Sequence, residues 1–322
     1  MNTLKKVGLT ALAGSLVAIS ANAGEMAVNG YAKATYTDRG SQNGLITGNP
    51  FGLNRALEFT GSGDLDNGNT IGVYFANNGT SQSSASMTYG MGDMGSIKLD
   101  MGTGGNGIGG IDDKTPTAAE EIWDNISYGA GHDGFRVGNG ASGALAYSNT
   151  FEGVSINVDY LNQGGGNNED GANADGGSSS SRSFRIVATL MDGLEAGLGR
   201  GEKGTTTMGT DDTQSTVYAT YAAGPITLGW QYAEEDSATS SSTWETHQWG
   251  ASFAVNENLA ISYGQRDVDV GNTAQDETGT GVAVSYTMGS IAISANRNQV
   301  EDFKGTAATD RETTEIAVSF SF

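Results

Sequence analysis

The clearest pattern in the chain is a two-residue alternation of apolar and polar side chains, and it is sharpest in residues 315–322. Ile316, Val318, Phe320 and Phe322 share one parity, whereas glutamate, alanine and two serines occupy the other. Successive side chains of a β-strand point to opposite faces, so this segment is predicted to be a strand with one apolar face. The alternative for this segment alone is an ordinary amphipathic strand of a soluble β-sandwich.

The same alternation recurs along the chain from residue 26, in segments separated by tight turns and by longer polar connections. The apolar positions that define these segments carry no charge, whereas the other parity holds lysines, arginines and carboxylates. A basic side chain that faces lipid costs about 2 to 4 kcal/mol at the bilayer midplane, but a water-filled lumen tolerates it. The pattern predicts an all-β protein, a 16-stranded antiparallel transmembrane β-barrel whose last strand pairs with its first.

Composition removes several other classes of protein. The 322 residues include 50 glycines, 3 prolines and no cysteine, and the formal net charge is −21. Without cysteine there is neither a disulfide scaffold nor a thiolate metal site. The acidic excess argues against a nucleic-acid partner, because phosphates require a basic surface. A hydrophobic content of only 37% is compatible with a membrane barrel, because lipid-facing and lumen-facing side chains alternate.

The first 23 residues have a different pattern from the rest. Two lysines precede an apolar run from Val7 to Ile19, and Ala21-Asn22-Ala23 follows as a small-residue cleavage motif. We predict a secretory signal peptide over residues 1–23 and a barrel domain over residues 24–322. The apolar run is shorter than the ~20 residues that a spanning helix needs. Removal of two lysines and no acid leaves 14 basic against 37 acidic residues, a charge of −23.

Two segments are more specific than the alternation. Residues 61–68, Gly-Ser-Gly-Asp-Leu-Asp-Asn-Gly, form a predicted tight turn, and residues 89–102 form a predicted hairpin that leads into a long loop. Both segments, and the terminal strand, resemble those of the Gram-negative general porins. The resemblance implies an outer-membrane homotrimer in contact with lipid, exported by a cleaved signal peptide, with a water-filled channel for passive diffusion of ions and small hydrophilic solutes. It also implies Phe322, Phe320 and Val318 as the membrane-insertion signal.

Residues 102–140 interrupt the alternation with a glycine-rich start that is followed by acidic side chains. A loop of this length between short hairpins is usually functional. One interpretation is an exposed acidic loop, whereas the resemblance implies the third loop of a porin, folded into the barrel so that it narrows the pore. A short helix is predicted over residues 117–123. On the porin interpretation, the predicted constriction residues are Asp112, Asp113, Glu120, Glu121 and Asp124.

A basic pore wall is predicted opposite this loop from the polar-parity cations Lys33, Lys98 and Arg185. Arg55 is added because Ala56 occupies the position at which many porins carry a wall arginine. The acidic constriction and the acidic chain together predict a modest cation preference, because one sign of charge in a low-dielectric tube concentrates counter-ions. A substrate-selective outer-membrane channel is the nearest alternative.

Other functions have less support in the sequence. An outer-membrane barrel hydrolase would have only His132, in the long loop, and His247, predicted on the lumen side, as imidazole bases, and no G-x-S-x-G motif lies near either. A secreted calcium-binding solenoid would need a nonapeptide repeat that is missing. We therefore expect no enzyme and no cofactor. The oxygen ligands of Asn168-Glu169-Asp170 and Asp175 are a candidate calcium site that lacks EF-hand spacing.

Overall fold

A computed structural model describes residues 24–40, 48–79, 81–126, 142–161, 180–204, 211–238, 243–271 and 273–322. Within these ranges the chain forms sixteen β-strands. They are β1 (Met26–Asp38), β2 (Phe51–Asp64), β3 (Thr70–Asn78), β4 (Ser81–Gly90), β5 (Ser96–Met101), β6 (Ser142–Phe151), β7 (Val154–Leu161), β8 (Ser181–Met191), β9 (Leu194–Gly204), β10 (Asp211–Ala223), β11 (Ile226–Asp236), β12 (Thr243–Ala254), β13 (Leu259–Val270), β14 (Glu277–Met288), β15 (Ile291–Glu301) and β16 (Arg311–Ser321).

Each strand pairs antiparallel with its neighbours in chain order, and β1 pairs with β16, so the sheet closes into a barrel. This confirms the predicted fold class and the predicted closing pair. Among the described residues, no helix has the length and apolar character needed to cross a membrane. The predicted signal peptide, His132 and the candidate calcium ligands between residues 168 and 175 lie outside the described ranges.

The two parities of the strands form an apolar outer face and a polar inner face. Large apolar side chains of the outer parity are exposed on every strand, for example Leu228 on β11 and Val318 on β16. Buried polar side chains occupy the inner parity, among them Gln231 on β11 and Thr313 on β16. A soluble domain would show the opposite distribution, whereas a barrel in lipid exposes its apolar band to acyl chains.

The seam between β1 and β16 is closed by the terminal residue. The N–H of Gly30 donates to the carbonyl oxygen of Phe322 at 2.8 Å, and the N–H of Phe322 donates to the carbonyl oxygen of Gly30 at 2.9 Å. The ring of Phe322 covers Gly30, because a Cβ at residue 30 would lie 2.6 Å from its Cζ. Phe320 and Phe322 stack with ring centroids 5.8 Å apart, and both are exposed on the outer face with Val318.

Arg55 lies on the outer face, so its prediction as a pore-wall residue is wrong. It is opposite Ala32 on β1 and has the parity of Leu53 and Leu57, which are exposed outer residues. Ala56 occupies the inward position and is buried. The alternation of β2 therefore places a guanidinium group within the apolar surface of the barrel.

His247 also lies on the outer face, which corrects its predicted lumen position. It has the parity of Trp249, an exposed outer residue of β12. Its ring lies 4.8 Å from that of Tyr232 on the neighbouring strand. The histidine therefore belongs to the aromatic outer surface.

Candidate channel constriction

The loop that follows β5, residues 102–126, begins at a buried carboxylate on the inner wall. Asp100 is fully buried and accepts hydrogen bonds from the N–H of Thr103 at 2.7 Å, from its Oγ1 at 2.6 Å, and from Nδ2 of Asn106 at 2.6 Å. Lys98 forms an ion pair with Asp100 at 2.7 Å and donates to the carbonyl oxygen of Gly104 at 3.1 Å. These contacts bend the chain inward as soon as β5 ends.

A 3-10 turn over residues 107–111 then lies against β7 and β8. The N–H of Gly107 donates to Oδ1 of Asn157 at 2.5 Å, and the N–H of Ile108 donates to Oγ of Ser183 at 2.9 Å. Nη1 of Arg185 donates to the carbonyl oxygens of Gly105 at 2.7 Å and of Gly107 at 2.8 Å. Arg185 therefore faces inward, and there it binds the loop backbone.

The loop packs into a recess of the wall where inward-facing glycines replace side chains. A Cβ at Gly199 would lie 2.8 Å from Ile108, one at Gly264 would lie 3.2 Å from Ile122, and one at Gly281 would lie 2.6 Å from Ile122. Pro116 occupies the space above two further glycines in the same way. We call this set the glycine recess, and its members are Gly199, Gly229, Gly250, Gly264 and Gly281.

The middle of the loop, residues 117–123, does not form the predicted helix. Wall side chains bind its backbone instead: the N–H of Ala118 donates to Oγ of Ser262 at 2.8 Å. Just before it, the N–H of Lys114 donates to Oε1 of Gln231 at 2.7 Å. Oγ1 of Thr117 donates to the carbonyl oxygen of Glu120 at 2.9 Å. With these donors and acceptors engaged, the segment follows the wall in bends and turns.

The end of the loop is held by β15, β16 and the connection between them. Nδ2 of Asn298 donates to the carbonyl oxygens of Glu121 at 2.9 Å and of Asp124 at 3.2 Å. Nη1 of Arg311 donates to the carbonyl oxygen of Ile126 at 2.9 Å, and its guanidinium lies 3.6 Å from the ring centroid of Phe303. Phe303 is buried against Ile126 and Val300.

The five acidic residues predicted for the constriction all lie on this inner loop, but their environments differ. Glu120 forms a close ion pair with Lys33 of β1. Burial raises the pKa of Asp112, and burial together with the charges of Glu121 and Asp112 raises the pKa of Asp113 to about 6. Hydrogen bonds from Thr115 to Asp113 oppose that rise. The loop acids are therefore not equivalent at neutral pH.

The pKa of Asp124 is raised further than that of Asp113. Burial is the main cause, and the charges of Glu120 and Glu315 add to it, so the pKa of Asp124 rises to about 7. Lys33 opposes the rise. A carboxyl group with this pKa is only partly ionised at neutral pH.

The predicted basic wall does not stand opposite the loop. Lys33 forms ion pairs with Glu120 of the loop and with Glu315 of β16, the latter at 3.4 Å. Lys98 and Arg185 bind the start of the loop, as described above. Three of the four predicted wall cations therefore contact the loop itself, and the fourth, Arg55, lies outside the barrel.

The profile of the Gram-negative porin family matches residues 8–322, nearly the whole chain. The chain belongs to this family. No curated protein matches it by sequence. The barrel is that of an outer-membrane porin, a channel for passive diffusion through a polar bore. Family and fold both indicate a passive channel rather than an enzyme.

Solved porins share the fold at low sequence identity. An anion-selective porin from Comamonas acidovorans is 14% identical, with a TM-score of 0.65 over 92% of this chain and 99% of that one. A porin refined at 1.8 Å resolution is 17% identical, with a TM-score of 0.67 over 92% and 100%. Salmonella typhi OmpF, in complex with daunomycin, is 12% identical, with a TM-score of 0.65 over 93% and 98%. This likeness establishes the fold, and the sign of ion selectivity must come from the residues of this porin.

Proposed function

We propose that this porin is a general diffusion channel for ions and small hydrophilic solutes with a modest preference for cations. The observation that carries the proposal is that the inward-facing basic side chains predicted for the pore wall already have partners. Lys33 and Lys98 are each ion-paired, and Arg185 binds loop carbonyl groups. Asp112 and Glu121 lie on the inner loop, and neither forms an ion pair among the described residues. A bore lined by carboxylates without ion-pair partners concentrates cations.

Reversal potentials in a potassium chloride gradient test this preference. The quadruple variant Asp112→Asn, Asp113→Asn, Glu120→Gln and Glu121→Gln is expected to lower the cation preference at low salt. Salt of ~1 M, with a Debye length of about 3 Å, is expected to weaken the wild-type preference as well.

The matched control neutralises four carboxylates on the outer face of β11–β13. They are Glu234, Asp236, Glu245 and Asp269. Their replacement by the corresponding amides should leave the reversal potential unchanged, because they do not face the bore. An anion preference in the wild type, or an unchanged potential in the loop variant, would contradict the proposal.

We also propose a homotrimer in which the outer face around Arg55 contacts a neighbouring subunit. Arg55 lies between Leu53 and Leu57, and Asn77 of β3 and Gln82 of β4 extend the polar patch on the same face. A guanidinium that faces lipid costs about 2 to 4 kcal/mol near the midplane, so a protein neighbour is the favoured cover. Native mass measurement in detergent should give three chains. Arg55→Leu should change trimer stability in heated detergent gels, whereas a wild-type monomer would remove the trimer and leave the barrel.

Export and chemistry complete the proposal. We propose that residues 1–23 are cleaved during export, so the mature protein should begin at Gly24 when its N-terminus is sequenced. We propose no catalytic activity and no resident cofactor. Among the described residues, no three histidine or carboxylate side chains are grouped to hold a metal ion. Calcium binding by residues 168–175 stays a prediction that calorimetry on the folded porin can test.

A further inference from the structure

The inner face of β1–β3 carries two tyrosines and a carboxylate on one diagonal. Tyr31 on β1 is opposite Ala56 on β2, Glu58 lies two residues further along β2, and Tyr74 on β3 is opposite Thr60, two residues further again. Diagonal neighbours in an antiparallel sheet are about 7 to 8 Å apart, within reach of aromatic and long side chains. Glu58 is therefore flanked by a tyrosine on each side.

The phenol group of Tyr74 lies near Glu58 and near Ser84 of β4. Ala56 and Ala76, which lie between the larger side chains on the same face, are only 8% and 6% exposed although they face a water-filled bore. We call the three residues Tyr31, Glu58 and Tyr74 the Tyr-Glu-Tyr face.

Among the described residues, no lysine or arginine forms an ion pair with Glu58. The inward lysine on β1, Lys33, is ion-paired with Glu120 and Glu315, and Lys98 is ion-paired with Asp100. The described loop contacts fall on β4, β5, β7–β16 and Lys33, and none of them involves Tyr31, Glu58 or Tyr74.

We propose that the Tyr-Glu-Tyr face is a binding subsite for small organic monocations, such as alkylammonium ions, on their way through the pore. The carboxylate attracts the positive charge, and the two ring faces favour an alkylated ammonium by cation–π attraction. Potassium is compact and strongly hydrated, so it gains less from the rings. This proposal rests on the cation preference proposed above. It adds the class of cation that the bore retains longest.

Tetramethylammonium chloride, added to channels that conduct potassium chloride in planar bilayers, tests the subsite. A cation that pauses in the bore reduces the potassium current, and the apparent inhibition constant reports its affinity. Glu58→Gln and the double variant Tyr31→Leu, Tyr74→Leu are each expected to weaken inhibition by about two- to five-fold, the range for exposed cation–π contacts. Tyr74→Phe keeps the ring and is expected to retain most of the affinity.

The matched control is Asp64→Asn, which removes an inward carboxylate from the same strand at the far end of β2, opposite Thr70. It should leave the inhibition constant unchanged. Mobility shifts between heated and unheated samples verify that each variant folds; if the double variant does not, Glu58→Gln against Asp64→Asn decides alone. Equal effects of those two variants, no effect of Glu58→Gln, or no wild-type inhibition would overturn the subsite.

The test of the subsite and the test of the general cation preference can fail independently of each other. A cation preference in a potassium chloride gradient, together with unchanged tetramethylammonium inhibition in the variants, would leave the function and remove the subsite. Inhibition that depends on Glu58 and the two rings, in a channel without potassium preference, would keep the subsite and remove the general preference.

Discussion

Two parts of the inner wall differ in what their side chains do. From β7 to β16 the wall offers glycines, amides and hydroxyls, and the loop after β5 lies against them. On β1–β3 the wall carries Tyr31, Glu58 and Tyr74, and none of the described loop contacts involves them. The difference is that the described part of the loop lies where wall side chains are missing and where its backbone donors find partners.

The two parts of the inner wall meet at the seam between β1 and β16. Weakening this seam should have the largest effect, a loss of protein from the outer membrane. Phe322→Ala removes the ring that covers Gly30 and the aromatic residue predicted to direct insertion. We expect outer-membrane yield to fall several-fold or more, with periplasmic aggregates or degradation products, because small losses of stability change abundance strongly. Quantitative immunoblots of membrane fractions measure the yield. Normal surface levels would show that this residue is not the insertion signal.

Larger side chains in the glycine recess should remove the difference between the two parts of the inner wall. Gly281→Val places atoms where Ile122 and Asn298 now lie, and overpacking of this kind costs about 1 to 3 kcal/mol. We expect a displaced loop, a higher single-channel conductance and a lower unfolding temperature in detergent. Gly72→Val is the control, because a Cβ there has no neighbour closer than 4.0 Å. The same conductance in both variants would show that the recess does not seat the loop.

Protonation of the loop carboxylates is expected to have a smaller effect, on the cation preference of the channel. With pKa values of about 7 for Asp124 and about 6 for Asp113, both groups gain a proton as the pH falls from about 8 to about 5, whereas an ordinary aspartate stays ionised. We expect the cation preference, measured by reversal potentials, to decline over this window. The double variant Asp113→Asn, Asp124→Asn should flatten the decline. A wild-type preference that is constant down to about pH 5 would contradict the shifts.

The sign of the effect on stability follows from the same shifts. A carboxyl group whose pKa is raised on folding binds more protons in the folded state, so acidification through this window stabilises the docked loop. The stabilisation is lost again as the pH rises through about 7, the pKa of Asp124. Acid should therefore lower selectivity without releasing the loop. Thermal unfolding of the barrel across the same pH range measures this directly.

The strands were predictable because their signal is local. Alternation in residues such as Ile316, Val318 and Phe320 fixes the outer face within a few positions of sequence. The error at Arg55 came from the resemblance, which suggested a wall arginine, although the parity of Leu53 and Leu57 already pointed outward. A charge on the apolar parity is acceptable where another protein covers it, and the alternation alone does not show such cover.

The path of the loop was not predictable in the same way, because its contacts join distant parts of the chain. Ala118 and Ser262 are 144 residues apart, and Asn298 reaches a loop carbonyl 177 residues away. The one local signal is the spacing of the glycines at positions 197, 199 and 201 on the inner parity of β9. Glycine within a strand often marks a close approach by another segment, which is what this spacing indicates in retrospect.

The glycine recess also has a genetic consequence. Every glycine codon is one nucleotide change from an alanine codon and one from a valine codon, so each wall position can add one or three carbon atoms in a single mutational step. Gly199, Gly229, Gly250, Gly264 and Gly281 lie on separate strands and act on different points of the loop. A bacterium under selection to slow the entry of a toxic solute therefore has several independent routes to a changed bore, all of them in the barrel wall and none in the inner loop.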